Sequence, residues 1–330
     1  MGEDVQQKLA TGAQGARAWL KQAETVLGNH SDRLDAINVF PVPDGDTGTN
    51  LYQTVRIASE RAQSFGETDD IGLLLRDAAQ TALENARGNS GTLLSVFLLG
   101  FAEPLVGQRR LVLQHLSEGL DRGQLRAWSA LTDPVPGTMP SAMSAANEAV
   151  NRALEDSLRD VDLQSRAALL TGLDAAVEGT RLAVVASEGE LDLLTKAQVV
   201  DAGAMGFLLV LEALKAAVVG SPVDEFVLEG FPGYAIQDPH IHAAAQAEEG
   251  VEVMCSMSLS PLDAALLRGQ LDDMGESVIM SPLPDGSGEA TRWRVHVHVP
   301  DAAPVLEMFR TFCEPENVTV TSLSAAQDCA

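Results

Sequence analysis

Asn38-Val39-Phe40-Pro41-Val42-Pro43-Asp44-Gly45-Asp46-Thr47-Gly48-Thr49-Asn50 gathers carboxylates, amides, glycines and small hydroxyls into one short loop. Asp44 and Asp46 flank a flexible Gly45, which suits a Mg²⁺ ion that keeps several waters and takes its other oxygens from phosphates. Pro41 and Pro43 stiffen the approach, each fixing its own φ and extending the residue before it. Gly45 and Gly48 let backbone N–H groups come close to phosphate oxygens with no Cβ in the way. Thr47, Thr49 and Asn50 are placed to donate to phosphate, to cap the helix that follows, or both. Asp-Gly taken alone also reads as an ordinary polar turn.

A second glycine-rich element, Ala86-Arg87-Gly88-Asn89-Ser90-Gly91-Thr92, lies between two predicted helices and opens the second. Unpaired N–H groups and the positive end of the helix dipole suit such a junction to an anion. Local physics also allows a C-cap at Gly88 followed by an Asn or Ser N-cap.

From residue 5 to 220 the chain reads as amphipathic helices, near 6–28, 49–65, 71–87, 91–104, 110–130, 138–157, 163–185 and 203–219. Eight helices and one acidic loop suggest a helical bundle or barrel with its site at one end. Residues 221–250 read as a linker, with Pro222, Pro232, Gly233 and Pro239. Beyond it the pattern alternates as a strand over 251–259, 276–281, 292–299 and 317–323, and as a helix over 262–274 and 302–313. That order is the ferredoxin-like βαββαβ of a smaller two-layer domain over 251–330. The turn of residues 284–289 between the middle strands is rich in turn formers.

A chain of 330 residues exceeds one ordinary core and suggests two domains, here 1–220 and 251–330. A net charge of −25 disfavours nucleic acid or an anionic membrane as partner. No apolar run of membrane-spanning length is expected, and Met1-Gly2-Glu3-Asp4 lacks the basic and apolar regions of a signal peptide, so a cytoplasmic location is expected. Cys255, Cys313 and Cys329 imply no disulfide framework.

The Asn38–Asn50 segment closely resembles the signature of the DhaL-type kinase domain, found in dihydroxyacetone kinases and in the ATP-binding component of bacterial fatty acid kinase. Its Asn-Val-Phe-Pro-Val-Pro lead-in is similar to the fatty acid kinase branch. The resemblance implies an eight-helix antiparallel barrel with ATP at its rim and two Mg²⁺ ions held by Asp44, Asp46 and Asn38, with Asp35 as a more distant alternative to Asn38. It also implies that Gly88-Asn89-Ser90-Gly91 wraps the phosphates and that Thr138-Met139 lies near the adenine. Val200-Asp201-Ala202-Gly203-Ala204 resembles the family's closing motif, which carries Asp201 and Gly203 to the nucleotide; Ala204 stands where the family has a second glycine. The implied activity is phosphorylation of a fatty acid carboxylate, presented by a separate carrier protein, to acyl phosphate. The alternatives are a nucleotide-binding regulatory protein without turnover and a dihydroxyacetone-kinase-like subunit. The resemblance stops short of the further C-terminal domain of full-length fatty acid kinase subunits, and it leaves a homodimer open.

Trp293, Val295, Val297 and Val299 alternate with Arg292, Arg294, His296 and His298, so the two imidazoles share a strand face about 6.5–7 Å apart. His-x-His on a strand suits zinc once a third ligand is found. The resemblance matches Cys255 to a cysteine that clusters with the His-x-His in fatty acid kinase. Alternation places Cys255 on the buried face with Val253 and Met257 and the histidines on the polar face. A zinc site of Cys255, His296 and His298 and a buried thiol beside two solvent-facing histidines therefore both stand. His240 and His242 read as solvated linker residues.

Overall fold

The computed structural model describes residues 12–41, 43–157, 162–223, 230–234, 250–283 and 291–323. Nine α-helices precede the first strand among the described residues: α1 Ala13–Ala36, α2 Thr47–Ser64, α3 Ile71–Glu84, α4 Gly88–Ala102, α5 Leu113–Ala130, α6 Met139–Ser157, α7 Arg166–Glu190, the short α8 Asp192–Ala197 and α9 Ala202–Val219. A turn of 3₁₀ helix, Glu103–Leu105, follows α4. Each long helix packs on the next, and α9 returns to α1, so the eight long helices form a closed ring. Trp19 seals the closure: its indole N–H donates to the Val210 carbonyl of α9 at 2.9 Å, and its ring meets Phe101 edge-on at 5.5 Å.

Local chemistry sets the helix starts. Asp70 accepts from Leu73 N–H at the start of α3, and Ser165 from Ala168 N–H at the start of α7. The first helix runs past its expected end at 28 because the apolar spacing Leu20, Ala23, Leu27 continues through buried His30 and Leu34. His30 Nδ1 and Tyr234 Oη are hydrogen-bonded at 2.7 Å, which ties residues 230–234 onto the helical core. His240, His242, Cys329, the 284–289 turn and residues 6–11 of the expected first helix lie outside the described residues.

Two helices are apolar on all sides. In α4 every residue but Asn89 is buried. Ala202–Val219 corrects the expectation that no run could span a membrane: by length and composition α9 could cross one, yet 89% of it is buried inside the protein, where it packs against α1, α6 and α7.

The second domain runs β1 Val251–Leu259, α10 Pro261–Met274, β2 Glu276–Pro282, β3 Thr291–Val299, α11 Ala302–Phe312 and β4 Glu316–Ser322. Strand order β2-β3-β1-β4, with antiparallel pairing throughout, is the ferredoxin-like arrangement. One sheet face buries Val253, Cys255, Val295 and Val297 with Leu267, Val305 and Phe309 of the two helices. The opposite face closes on the helical domain. Arg294 donates to the Ala86 carbonyl at 3.4 Å, Leu131 bridges to Ile279, and His296 and His298 are 0% and 7% exposed. The histidines expected to face solvent are therefore buried, because the polar side of this sheet is a domain interface.

The ring depends on glycines where helices touch. A Cβ on Gly100 of α4 would lie 2.5 Å from the Arg122 carbonyl of α5, which cannot move without moving the helix. Gly100→Ala is expected to cost about 1–3 kcal/mol by overpacking, lowering the melting temperature by about 2–4 °C per kcal/mol with unchanged helix content. An unaltered thermal melt would contradict the close approach.

Candidate functional site

The N-termini of α2, α4, α6 and α9 all border two adjoining cavities at one rim of the ring. The smaller, about 240 Å³, is lined by Asn38, Asp44, Asp46, Gly88, Glu252 and His298 among others. The larger, about 500 Å³, is walled by Leu93, Leu131, Val135, Met139, Asp201 and Val278 among others. Pro41, Thr47, Asn89 and Ser90 belong to both. Four helix ends offer partial positive charge and unpaired N–H groups to one place in a chain of net charge −25. The arrangement suits an elongated ligand with an anionic end in the smaller cavity and an apolar end in the larger.

Asp46 is the residue before α2, and Asp44 lies in hydrogen-bond contact with it. Asn38 donates from Nδ2 to Asp44 Oδ1 at 2.6 Å, which leaves its amide oxygen for another partner. Burial and then the neighbouring Asp46 charge push the Asp44 carboxyl up to about 8. Burial, with Glu252 and Asp35 adding to it, pushes Asp46 up to about 6 despite a hydrogen bond from Asn50. Two carboxylates held together at this depth need positive charge, and their hard oxygens fit a divalent cation such as Mg²⁺. Asn89 adds a buried Oδ1 with no hydrogen-bond partner among the described residues.

Asp35 commits both carboxylate oxygens to the start of α2. Its Oδ1 accepts from the N–H groups of Gly48 and Thr49 at 2.6 and 3.0 Å, and its Oδ2 from Thr49 Oγ1 at 2.7 Å, so it caps α2. Asp201 holds two helix ends at once. It accepts from Ala204 N–H at 2.7 Å and also from the N–H groups of Gly203 and Met139, while burial pushes its carboxyl up to about 7.

Of the sequence-predicted residues, Asn38, Asp44, Asp46, Thr47, Gly88, Asn89, Ser90, Thr138, Met139, Asp201 and Gly203 line one or both cavities. Gly48, Thr49, Asn50 and Gly91 do not line them. A Cβ on Gly48 would lie 2.1 Å from the Ser31 carbonyl, and one on Gly91 2.5 Å from Thr54 Oγ1, so both glycines serve helix packing. Thr49 is taken by Asp35, and Asn50 lies against Gly88, whose φ of +64° and missing Cβ leave it room. Ala204 is buried in the helical core and lines neither cavity, so the departure from the glycine pattern does not touch the site.

The expected trio of Cys255, His296 and His298 does not form. Cys255 pairs with Val295 in the sheet register, which turns its side chain to the helix-covered face, opposite the imidazoles. Burial pushes its thiol up to about 12, far from a ligating thiolate. The carboxylate beside the histidines is Glu252, which pairs with His298 across β1 and β3 and was not singled out from the sequence. Its signal was available: Glu252 is the one charged residue in an otherwise uncharged strand, and its parity in β1 is opposite to that of Cys255. Glu252 Oε1 accepts from Gly88 N–H at 2.9 Å, so the second domain completes the wall at the α4 N-terminus. Burial, then His296, pushes His298 down to about 3, which keeps that imidazole neutral.

The raised carboxyls fix the direction of a pH dependence. Unfolded, Asp44 and Asp46 lose their protons near 3.8; folded, they keep them to about 8 and about 6. Between those limits the native state binds more protons than the unfolded chain, so stability in chelator should fall as pH rises from about 4 to about 8. Divalent cation should offset the loss, most at the alkaline end. Asp44→Asn should raise the melting temperature in chelator at pH 8 and remove the stabilisation by Mg²⁺. Wild-type stability that is flat or rising across that window would contradict the buried pair.

The DAK2 domain family matches residues 41–216, more than half of the 330-residue chain. The FakA-like middle-domain family, named for fatty acid kinase, matches residues 250–328. Protein YloV of Bacillus subtilis is 26% identical over 309 residues, covering 90% of this chain and 53% of YloV. An uncharacterised protein of Staphylococcus epidermidis is 28% identical over 262 residues, covering 77% of this chain and 46% of its own length. The chain thus spans about half the length of the curated relatives it matches. Dihydroxyacetone kinase from C. freundii, solved in complex with AMP-PNP and Mg²⁺, shows a TM-score of 0.43 at 20% identity over 62% of this chain and 33% of that one. By the match that runs from the acidic turn to the last long helix, the chain belongs to the DAK2 domain family.

Proposed function

We propose that this chain is an ATP-dependent phosphotransferase subunit that transfers the γ-phosphate to the carboxylate of a fatty acid presented by a separate carrier protein. The observation that carries the reading is the convergence of the Asp44–Asp46 pair with four helix N-termini on two adjoining cavities. The apolar walls of the larger cavity suit an adenine, and the polar walls of the smaller one suit phosphates. The match to the FakA-like middle domain favours an acyl acceptor over dihydroxyacetone.

Asp44, Asp46 and the Asn38 amide oxygen would hold two Mg²⁺ ions. Held by these residues, they would supply positive charge against the phosphates during phosphoryl transfer. Backbone N–H groups at the start of α4, beside Asn89 and Ser90, orient the triphosphate. Asp201 fixes the spacing of α6 and α9 around the larger cavity by capping both.

The acceptor carboxylate is ionised near neutral pH, so its oxygen attacks the γ-phosphorus without a catalytic base. The bond to the β,γ-bridging oxygen breaks, ADP departs, and no proton changes hands. Positioning and charge neutralisation supply the rate.

ATP consumption should appear with a fatty-acid-loaded carrier and be absent with dihydroxyacetone or with no acceptor. Consumption with dihydroxyacetone alone would favour the dihydroxyacetone-kinase-like alternative, and ATP binding without consumption in any arm would favour a regulatory protein. Asp44→Ala and Asp46→Ala should each lower turnover on the order of 10²–10³-fold, the scale of losing one preorganised charge-stabilising group, with unchanged far-ultraviolet circular dichroism. Unchanged turnover in either variant would contradict the assignment.

A further inference from the structure

We infer that Glu252, His296 and His298 form a second metal site, distinct from the acidic turn and selective for a borderline divalent cation of the Zn²⁺ type. The donor atoms of these three side chains all lie within 4.8 Å of one another. A tetrahedral ion with ligands at about 2.0–2.2 Å sets its donors about 3.3 Å apart, so closing on an ion requires shifts on the order of 1 Å. Such shifts lie within side-chain rotation of groups already on one sheet face.

The cluster is buried and unsatisfied. Glu252 and His298 are 7% exposed and His296 is fully enclosed. Neither ring nitrogen of His296, nor Nδ1 of His298, has a hydrogen-bond partner among the described residues. His296 Nδ1 lies 3.2 Å from Glu252 Oε1, and the two rings lie 4.9 Å apart between centroids. Buried imidazoles with unpaired nitrogens carry a desolvation cost that ligation of a cation removes. Gly88 N–H occupies Glu252 Oε1 and so orients the carboxylate. Arg294, the next residue along this face, turns one amino group to the Ala86 carbonyl.

Ligand chemistry separates this site from the neighbouring one. Two imidazoles and one carboxylate suit Zn²⁺ and its close relatives, whereas Asn38, Asp44 and Asp46 offer only hard oxygens. Three protein ligands with a position left open is the pattern of a reactive zinc site; closed structural sites use four. Glu252 and His298 also line the smaller cavity, so an ion held here borders the same space as the acidic turn. This inference stands on the cluster's own geometry and does not require the kinase reading.

The test uses the full chain, stripped with chelator and reconstituted with Zn²⁺ or Co²⁺ alone, without nucleotide. One ion per chain should be retained after gel filtration, and the Co²⁺ form should show visible d–d absorption with no thiolate charge-transfer band. His298→Ala should weaken Zn²⁺ affinity by at least about 100-fold, in line with the loss of a ligand or its support, and Glu252→Gln should weaken it while preserving side-chain volume. Cys255→Ser and Asp44→Asn should leave both affinity and spectrum unchanged. Circular dichroism and thermal melts of each variant separate ligand loss from unfolding. Failure of the wild type to retain either ion, a thiolate band in the Co²⁺ spectrum, or unaltered affinity in a folded Glu252→Gln protein would overturn the assignment.

Discussion

Negative charge held at helix N-termini organises this molecule. In a chain of net charge −25 the cheapest positive potential comes from the backbone, and α2, α4, α6 and α9 bring their N-terminal ends to one rim. Carboxylates then divide the work there. Asp35 and Asp201 commit their oxygens to N–H groups and fix the helices. Asp44 and Asp46 face each other instead, with protons held well above the usual carboxylate range, an arrangement that would suit a divalent cation. The closed ring beneath matters because a helix end is useful only where its axis is held. Trp19, the aromatic cluster of Phe97, Phe101 and Phe207, and the glycine contacts of α4 supply that rigidity.

The second domain is part of the same site. Its sheet uses one face for its own core and the other to cover the rim, where Glu252 accepts from Gly88 N–H and Arg294 reaches the Ala86 carbonyl. A carboxylate on a helix N-terminal N–H occupies the kind of position an anionic ligand takes. An anion that took the Gly88 N–H would compete with Glu252 for it, and so with a contact that seats the second domain. The two cavities also owe part of their walls to this domain, through His298 in the smaller and Glu276 and Val278 in the larger.

Much of this was legible in the sequence, for identifiable reasons. Strand alternation over Val251–Leu259 and Thr291–Val299 is strict enough to set both boundaries and facing, and the βαββαβ order follows from it. The acidic turn and the Gly88 junction carry residue types that little else requires. Glycines misled, because Gly48 and Gly91 stand beside the site yet exist for helix-to-helix contact, which a linear pattern cannot distinguish from phosphate contact. Cys255 misled for another reason: residue type pointed to the histidines, while strand parity pointed away, and the register follows parity. Glu252 stood out only as the single charge in its strand, and its role was not legible because its partners arrive from β3 and α4, both remote in sequence. The burial of the histidines depends on domain docking, which no local periodicity encodes.

A crystal structure of the chain with a non-hydrolysable ATP analogue and Mg²⁺ is the most direct measurement of the central claim. The account predicts the triphosphate at the N-termini of α2 and α4, with metal ions on the oxygens of Asp44 and Asp46 and the base against Leu93, Val135 and Met139. A nucleotide bound away from that rim, or metal ions with no contact to Asp44 or Asp46, would contradict it.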